Sequence, residues 1–152
     1  MNCLRVLRSL NKTEVPVYAG QARGLLRRNI SAKNIHGESG LDGTTLLPDI
    51  TPADRVAEGK AVIAMSEAIL AQKKNEVMLV ATGSMTNIAL LVSLYPEVVE
   101  WLKGLVIMGG AVKVGNVTPV AEFNIWVSMF SIVGVNSSRI RRLLRCYSRY
   151  RS

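Results

Sequence analysis

The sequence predicts an α/β fold built on an open, mostly parallel sheet with flanking helices. Two short apolar runs, at residues 77–81 and 104–108, are typical of strands buried on both faces, and residues 87–94 between them have the pattern of a helix. A strand, a helix and a strand at this spacing form a βαβ unit, whose two strands run parallel. We therefore expect a Rossmann-like architecture, in which ligands bind beyond the carboxyl ends of the strands.

The first fifty residues predict a helix, a strand and a long loop. Leu4, Leu7 and Leu10 share one face of an amphipathic helix. Residues 15–19 are typical of a short strand, and the polar, glycine-rich segment 21–48 shows no clear periodicity. A connection of this length is usually functional or disordered.

A further helix is predicted to begin at residue 51. Thr51 is a favourable N-cap, Pro52 suits the first helical position, and Asp54 completes the spacing of a capping box. Apolar residues that include Ala61 and Ile69 give this helix its buried stripe. Residues 96–101 are predicted to form one more helical turn.

The basic charge is concentrated at one end of the chain. The 152 residues carry 19 Lys and Arg against 11 Asp and Glu, a net charge of +8. Residues 1–127 hold 13 of the basic residues and all 11 acids, whereas residues 128–152 hold six arginines and no acid. The main part of the chain is nearly neutral, which argues against a nucleic-acid surface there. Because no apolar run reaches the ~20 residues that span a membrane, we expect a soluble protein.

The cysteines and the start of the chain predict a cytoplasmic location. Cys3 and Cys146 lie near opposite ends and have neither a disulfide framework nor metal-ligand spacing. The apolar residues near the start are interrupted by Arg5 and Arg8, so they do not form a signal peptide. The same segment has no acid before Glu14 and therefore also has the composition of a mitochondrial transit peptide; the amphipathic helix is the preferred interpretation.

Four segments carry the residues suited to chemistry. In chain order they are HGESGLDG at 36–43, ATGSMTN at 81–87, MGGAV at 108–112, and Gly115-Asn116 followed by AEFNIWV at 121–127. In this order and spacing they resemble the internal motifs of the inosine–uridine-preferring nucleoside hydrolases. The resemblance covers residues 2–127, and the continuation of the first segment through Pro48 is most similar to the fungal uridine ribohydrolases.

The resemblance implies a partial nucleoside hydrolase domain at residues 1–127. Members of this family use water to cleave the N-glycosidic bond of ribonucleosides, giving free base and ribose. In the family a calcium ion binds the attacking water and the ribose 2′- and 3′-hydroxyls, and an aspartate takes the proton of that water. The ribose becomes oxocarbenium-like, as in other glycoside hydrolysis.

The resemblance also implies roles for individual residues. Thr82 matches a position that ligates calcium through its backbone carbonyl, and Met108 and Asn116 match ribose-pocket positions. Glu122 and Asn124 match a pair that hydrogen-bonds the ribose hydroxyls, and a carboxylate with an amide offers the acceptors and donors that a diol requires. Their alternating spacing predicts that both lie on one face of a strand. The alternatives are a core role for Met108 and a solvated strand position for Glu122.

His36 is the only histidine in the chain. In the family this position faces the base end of the nucleoside, and in pyrimidine-preferring members it helps to protonate the leaving base. An imidazole can carry out that step near neutral pH. Without the motif around it, a single loop histidine is usually a surface or packing residue.

Two parts of the family pattern have no counterpart in this sequence. One is an Asp-x-Asp-x-Gly-x-Asp-Asp loop that supplies most of the calcium carboxylates and the general base. The other is a later Asp and His pair. We therefore expect the chain to be catalytically incomplete by itself. After Val127 the pattern stops, and residues 128–152 are predicted to be a poorly ordered basic tail unrelated to the family fold.

Two other functions remain open from the sequence. The first is nucleic-acid binding by the arginines of the tail, where only Tyr147 and Tyr150 are present as stacking residues. The second is a non-catalytic partner of an intact hydrolase, because the family forms homo-oligomers. The preferred base also remains open.

Overall fold

The computed structural model describes residues 1–25, 33–41, 43–110, 115–119, 121–127 and 144–147, with backbone alone at 33–34 and 144–147. The chain divides into two compact units. The first comprises residues 1–19 and 30–60, and the second comprises residues 20–29 and 61–152.

In the first unit, two arginines connect the amino-terminal helix to a following segment. Helix α1 spans Asn2–Ser9, as predicted, and buries Leu4. The guanidinium of Arg5 donates to the carbonyl oxygens of Leu47 and Pro48, each at 3.0 Å. Arg8 donates to the hydroxyl of Thr51 at 3.1 Å. These basic side chains therefore stabilise the contact between α1 and residues 47–51. A four-residue helix, α2, spans Lys33–His36 in the same unit.

The predicted helix start at residue 51 and the predicted strand at 15–19 are wrong, whereas the helix predicted to carry Ala61 and Ile69 is present from residue 61. The carboxylate of Asp54 accepts hydrogen bonds from the Thr51 N–H at 2.8 Å and from the Thr51 hydroxyl at 2.7 Å, so the capping pattern closes a turn. The chain then passes through Gly59, whose φ of +99° interrupts a right-handed helix. At residues 15–19 the structure has a single parallel bridge between Tyr18 and Ala57.

The second unit contains the predicted βαβ arrangement. Helix α3 spans Ala61–Leu70, strand β1 spans Val77–Ala81 and helix α4 spans Thr86–Leu94. A short helix, α5 (Val98–Trp101), leads directly into strand β2 (Leu102–Met108). Strands β1 and β2 are parallel, with Ala81 opposite Ile107. The α/β class and the parallel sheet are therefore confirmed.

The hydrophobic core lies between one face of the sheet and the helices of the second unit. Leu105 and Ile107 of β2 are buried there with Leu91 of α4, Ile69 of α3 and Val98 of α5. Burying a leucine side chain of this kind contributes about 1.5–3 kcal/mol. This packing fixes the position of the sheet relative to α4, and hence the position of the loops at the strand ends.

The opposite face of the sheet remains exposed, so the prediction of strands buried on both faces is wrong for β1. Met78 is 42% exposed and Val80 is 57% exposed, whereas Ala81 is buried. The register places Val106 beside Val80 on this side, and Met108 follows two residues later. We call these four apolar residues, Met78, Val80, Val106 and Met108, the open face.

A third strand, β3, pairs with β2. It spans Leu144–Tyr147 and runs parallel to β2, which gives the sheet order β1-β2-β3. Four residues of the predicted tail thus lie in the sheet, where their backbone groups continue the hydrogen bonding of β2. The rest of residues 128–152 lies outside the described residues. No helix in the described part of the chain is long and apolar enough to span a membrane.

Candidate functional site

The carboxyl ends of β1 and β2 lie side by side. The last paired residues are Ala81 and Ile107, so Thr82 and Met108 follow at neighbouring positions on the same edge of the sheet. The side chain of Met108 is 46% exposed, so it is not the core residue that the sequence offered as an alternative. This edge is where open parallel sheets place their ligands.

Asn124 connects these two strand ends. Its side-chain Nδ2 donates to the carbonyl oxygen of Thr82 at 3.0 Å and to the carbonyl oxygen of Met108 at 2.8 Å. Three of the residues that the sequence singled out, far apart in the chain, therefore meet at one place. Asn124 belongs to a short helix, α6, which spans Phe123–Val127.

The side chains of Glu122 and Asn124 do not share the strand face that the sequence predicts, because Asn124 lies in α6. The sequence suggested a strand with both side chains on one face, but Asn124 lies in a helix and Glu122 directly precedes it. The carbonyl oxygen of Glu122 accepts from the N–H of Trp126 at 2.8 Å, as in the first turn of a helix. In a helix, residues two apart do not face each other, so the strand prediction is wrong here. Glu122 is 7% exposed.

Asn116 holds the start of α6. Its side-chain Oδ1 accepts a hydrogen bond from the N–H of Phe123 at 2.9 Å, which satisfies one of the free donors at the helix start. The loop that leads into α6 folds back on itself, and Thr118 pairs with Ala121 in an antiparallel bridge. At Gly115 an added Cβ would collide with the backbone carbonyl oxygen of Thr118, so this loop requires glycine there.

Gly109 allows α6 to approach the end of β2. An added Cβ would lie 3.0 Å from Cγ1 and 3.2 Å from Cδ1 of Ile125, closer than most side-chain contacts. Gly110 follows with a φ of +93°, which glycine adopts without strain. The Gly-Gly pair thus explains how α6 comes close enough for Asn124 to reach both strand ends.

Asn87 of α4 makes a contact that no pattern in the sequence indicates. Its Oδ1 accepts from the N–H of Gln21 at 2.8 Å. A Cβ on Gly20 would lie 2.6 Å from Asn87 Nδ2, so the backbone at residues 20–21 packs directly against this amide. Asn87 is the last residue of the ATGSMTN motif, but a single sequence does not reveal that it lies beside a glycine distant in the chain.

His36 and the group formed by Thr82, Met108 and Asn124 belong to different units. His36 ends α2 in the first unit, and its side chain is exposed. A cavity of about 70 Å³ in that unit is lined by residues that include Leu4 and Val17, and none of the predicted site residues lines it.

The described residues do not provide a complete calcium site. Among them, no three His, Cys, Asp or Glu side chains lie close enough together to hold one metal ion. The carbonyl of Thr82 is a single hard oxygen, whereas calcium takes about six to eight oxygen ligands. This part of the chain can therefore contribute to such a site but does not fit the ion by itself.

Comparison with known proteins identifies the family. A model of the inosine-uridine preferring nucleoside hydrolases matches residues 1–129. The chain belongs to this family. It is 44% identical over 126 residues to a pyrimidine-specific ribonucleoside hydrolase, RihA, of Escherichia coli O81 (strain ED1a), and equally to that of Escherichia fergusonii. The match covers 83% of this chain but 39% of each relative, so the chain spans about two fifths of their length.

Solved nucleoside hydrolases share the fold of the chain. A purine-preferring ribonucleoside hydrolase from Gardnerella vaginalis superposes with a TM-score of 0.81 at 25% identity, covering 97% of this chain and 46% of that one. A plant nucleoside hydrolase, PpNRh1, superposes with a TM-score of 0.79 at 26% identity over the same shares. The partial nucleoside hydrolase fold expected from the sequence is confirmed.

Proposed function

We propose that the chain forms the sugar-binding part of an enzyme that hydrolyses the N-glycosidic bond of ribonucleosides to free base and ribose. The observation that carries this proposal is the meeting of Thr82, Met108 and Asn124 at the ligand-binding edge of the sheet. Membership of the nucleoside hydrolase family supports the same reaction.

In this proposal, backbone and side-chain oxygens hold the ribose and an ion. The Thr82 carbonyl would supply one oxygen ligand to calcium, which when bound would orient the attacking water and lower its pKa. Glu122 and Asn124 meet the ribose hydroxyls, and Met108 and Asn116 line the pocket. A buried carboxylate such as that of Glu122 also favours the positive charge that develops on the ribose in the transition state.

We further propose that the 152-residue chain has no turnover by itself. The described residues bring no cluster of carboxylates to the strand ends, and a general base and several charged ligands are required for the reaction in the family. In the relatives, those groups would come from the part that this chain does not match. The predicted cytoplasmic location and homo-oligomeric assembly belong to the same proposal.

We propose a pyrimidine ribonucleoside as the first substrate to test, with His36 on the side of the leaving base. The support is the 44% identity to relatives named as pyrimidine-specific. His36 would donate a proton to the departing base, since histidine is the side chain that most often serves as a general acid. Since a structural relative is named as purine-preferring, inosine is the necessary comparison.

The test is the release of reducing sugar from uridine and inosine in the presence of calcium. The chain alone is expected to give none. A chimera in which residues 1–127 replace the matched segment of the E. coli relative is expected to release ribose. In that chimera, Glu122→Gln should reduce kcat/KM by about 100-fold, because the carboxylate stabilises the transition state.

An exposed carboxylate provides the control. Glu97→Gln, on the surface before α5, should leave the activity of the chimera unchanged. A folded chimera without activity, or one in which both substitutions reduce activity equally, would contradict the proposal.

A further inference from the structure

The side-chain amide of Asn124 uses both of its hydrogens on the backbone. A primary amide has two N–H donors and one carbonyl acceptor. Here Nδ2 lies 3.0 Å from the Thr82 carbonyl oxygen and 2.8 Å from the Met108 carbonyl oxygen. The two donors are thus matched to two acceptors that belong to different strand ends.

These contacts determine the orientation of the amide. If the group were rotated by half a turn, Oδ1 would face two carbonyl oxygens, and all three atoms carry partial negative charge. The two carbonyls lie just beyond the last paired residues of β1 and β2, Ala81 and Ile107. The amide therefore joins the strands where their own hydrogen bonding stops.

We propose that Asn124 is a positioning residue that holds the ends of β1 and β2 together and orients the carbonyl of Thr82. We call this arrangement the Asn124 clamp. It requires a donor at both contacts, so neither a hydroxyl nor a carboxylate can replace the amide. The relevance of the clamp to sugar binding rests on the proposed function, whereas the clamp itself does not.

Asn116 provides a matched comparison because it uses the other end of its amide. Its Oδ1 accepts from the N–H of Phe123 at 2.9 Å. Replacing an asparagine by aspartate changes NH₂ to an oxygen with almost no change in shape. At position 116 the accepting oxygen is kept and the hydrogen bond becomes charge-assisted, whereas at position 124 both donors are lost.

Thermal unfolding of the full chain tests the proposal. Asn124→Asp is expected to lower Tm by about 3–6 °C at neutral pH, because the new carboxylate faces two carbonyl oxygens. Asn116→Asp is expected to leave Tm unchanged or to raise it. Equal losses in the two variants, or no loss in Asn124→Asp, would overturn the proposal.

The pH dependence separates the clamp from a general loss of packing. Two carbonyl oxygens should raise the pKa of the carboxyl group introduced at position 124, so the folded state binds its proton more tightly than the unfolded state does. The stability of Asn124→Asp relative to the wild type should then rise as pH falls from about 7 to about 4. A deficit that is the same at both pH values contradicts the clamp.

A measurement on the wild type keeps the test independent of whether the variant folds. By NMR, both side-chain amide protons of Asn124 should exchange with solvent more slowly than those of the exposed Asn11 or Asn75, and rapid exchange of both would overturn the proposal. Because none of these readouts involves turnover, failure of the clamp and failure of the proposed reaction can be distinguished.

Discussion

At the scale of single residues, the close contact between Gly20 and Asn87 gives a direct prediction. Gly20→Ala should lower the free energy of unfolding by about 1–2 kcal/mol, because the new methyl group would displace the Asn87 amide and break its bond to Gln21. A methyl group does not fit at position 20, because the added Cβ would lie 2.6 Å from Nδ2 of Asn87. Chemical denaturation measures the change.

Gly83→Ala is the control for this substitution. An added Cβ at Gly83 meets no atom within 4 Å, so its effect on the free energy of unfolding should be within about 0.5 kcal/mol. Similar losses at both glycines would show that the contact with Asn87 does not determine the requirement at position 20.

Asp54 gives a prediction for the dependence of stability on pH. The backbone N–H of Thr51, then its hydroxyl, and then Arg8 hold the pKa of Asp54 below its usual value, against the opposite effect of burial. A group whose folded pKa is lowered stabilises the protein above its unfolded pKa of about 3.9, and this contribution is lost as pH falls through the folded value. Asp54→Asn should therefore flatten the fall in stability between about pH 5 and pH 2.

Denaturation midpoints measured across this range would check the prediction. Asp49→Asn removes a carboxylate that is fully exposed and should keep the pH profile of the wild type. If Asp54→Asn also kept that profile, the hydrogen bonds around Asp54 would not contribute to acid unfolding.

At the scale of secondary structure, the two faces of the sheet should respond differently to truncation. Leu105→Ala should lower the free energy of unfolding by about 2–5 kcal/mol, because Leu105 is 2% exposed in the core. Val80→Ala, on the open face of β1, should cost less than about 1 kcal/mol. Chemical denaturation of the two variants under identical conditions measures the difference, and equal losses would mean that the open face is covered in solution.

The elements that could be predicted from sequence are those with local signals. The apolar runs of β1 and β2 and the helix between them follow from periodicity, and the adjacency of Thr82 and Met108 follows from the rule for parallel strands. The capping pattern at Thr51 did not begin a helix, because the same hydrogen bonds close a turn and the chain then pairs at Ala57 with Tyr18.

The parts of the site that could not be predicted depend on distant contacts. The spacing of Glu122 and Asn124 suggested a strand, but Asn116 caps the segment as a helix and Gly109 lets that helix approach β2. Neither effect is visible in the local pattern of residues 121–127. The bridging amide of Asn124 and the contact of Asn87 with residues 20–21 likewise required the structure.

At the scale of the whole molecule, the open face has the composition of an interior surface. A continuous apolar run is typical of a strand covered on both sides, yet Met78 and Val80 of β1 are 42% and 57% exposed. The E. coli relative contains segments that this protein does not match, since the match covers 39% of that relative. The sequence of β1 therefore fits a more completely covered sheet than the described residues provide.

The exposed strand β1 should consequently make the chain associate with itself. Among the described strands it is at one edge of the sheet, and it carries no charged residue between Val77 and Ala81 that would oppose pairing with another chain. We expect light scattering to show an apparent mass that rises with protein concentration. Val80→Lys should reduce the association, because a lysine on an edge strand disfavours pairing. Leu94→Lys, at an exposed position that ends α4, adds the same charge away from the sheet and should leave the association unchanged. A wild-type chain that stays monomeric at every concentration would contradict this expectation, because an exposed apolar edge strand should pair with other chains.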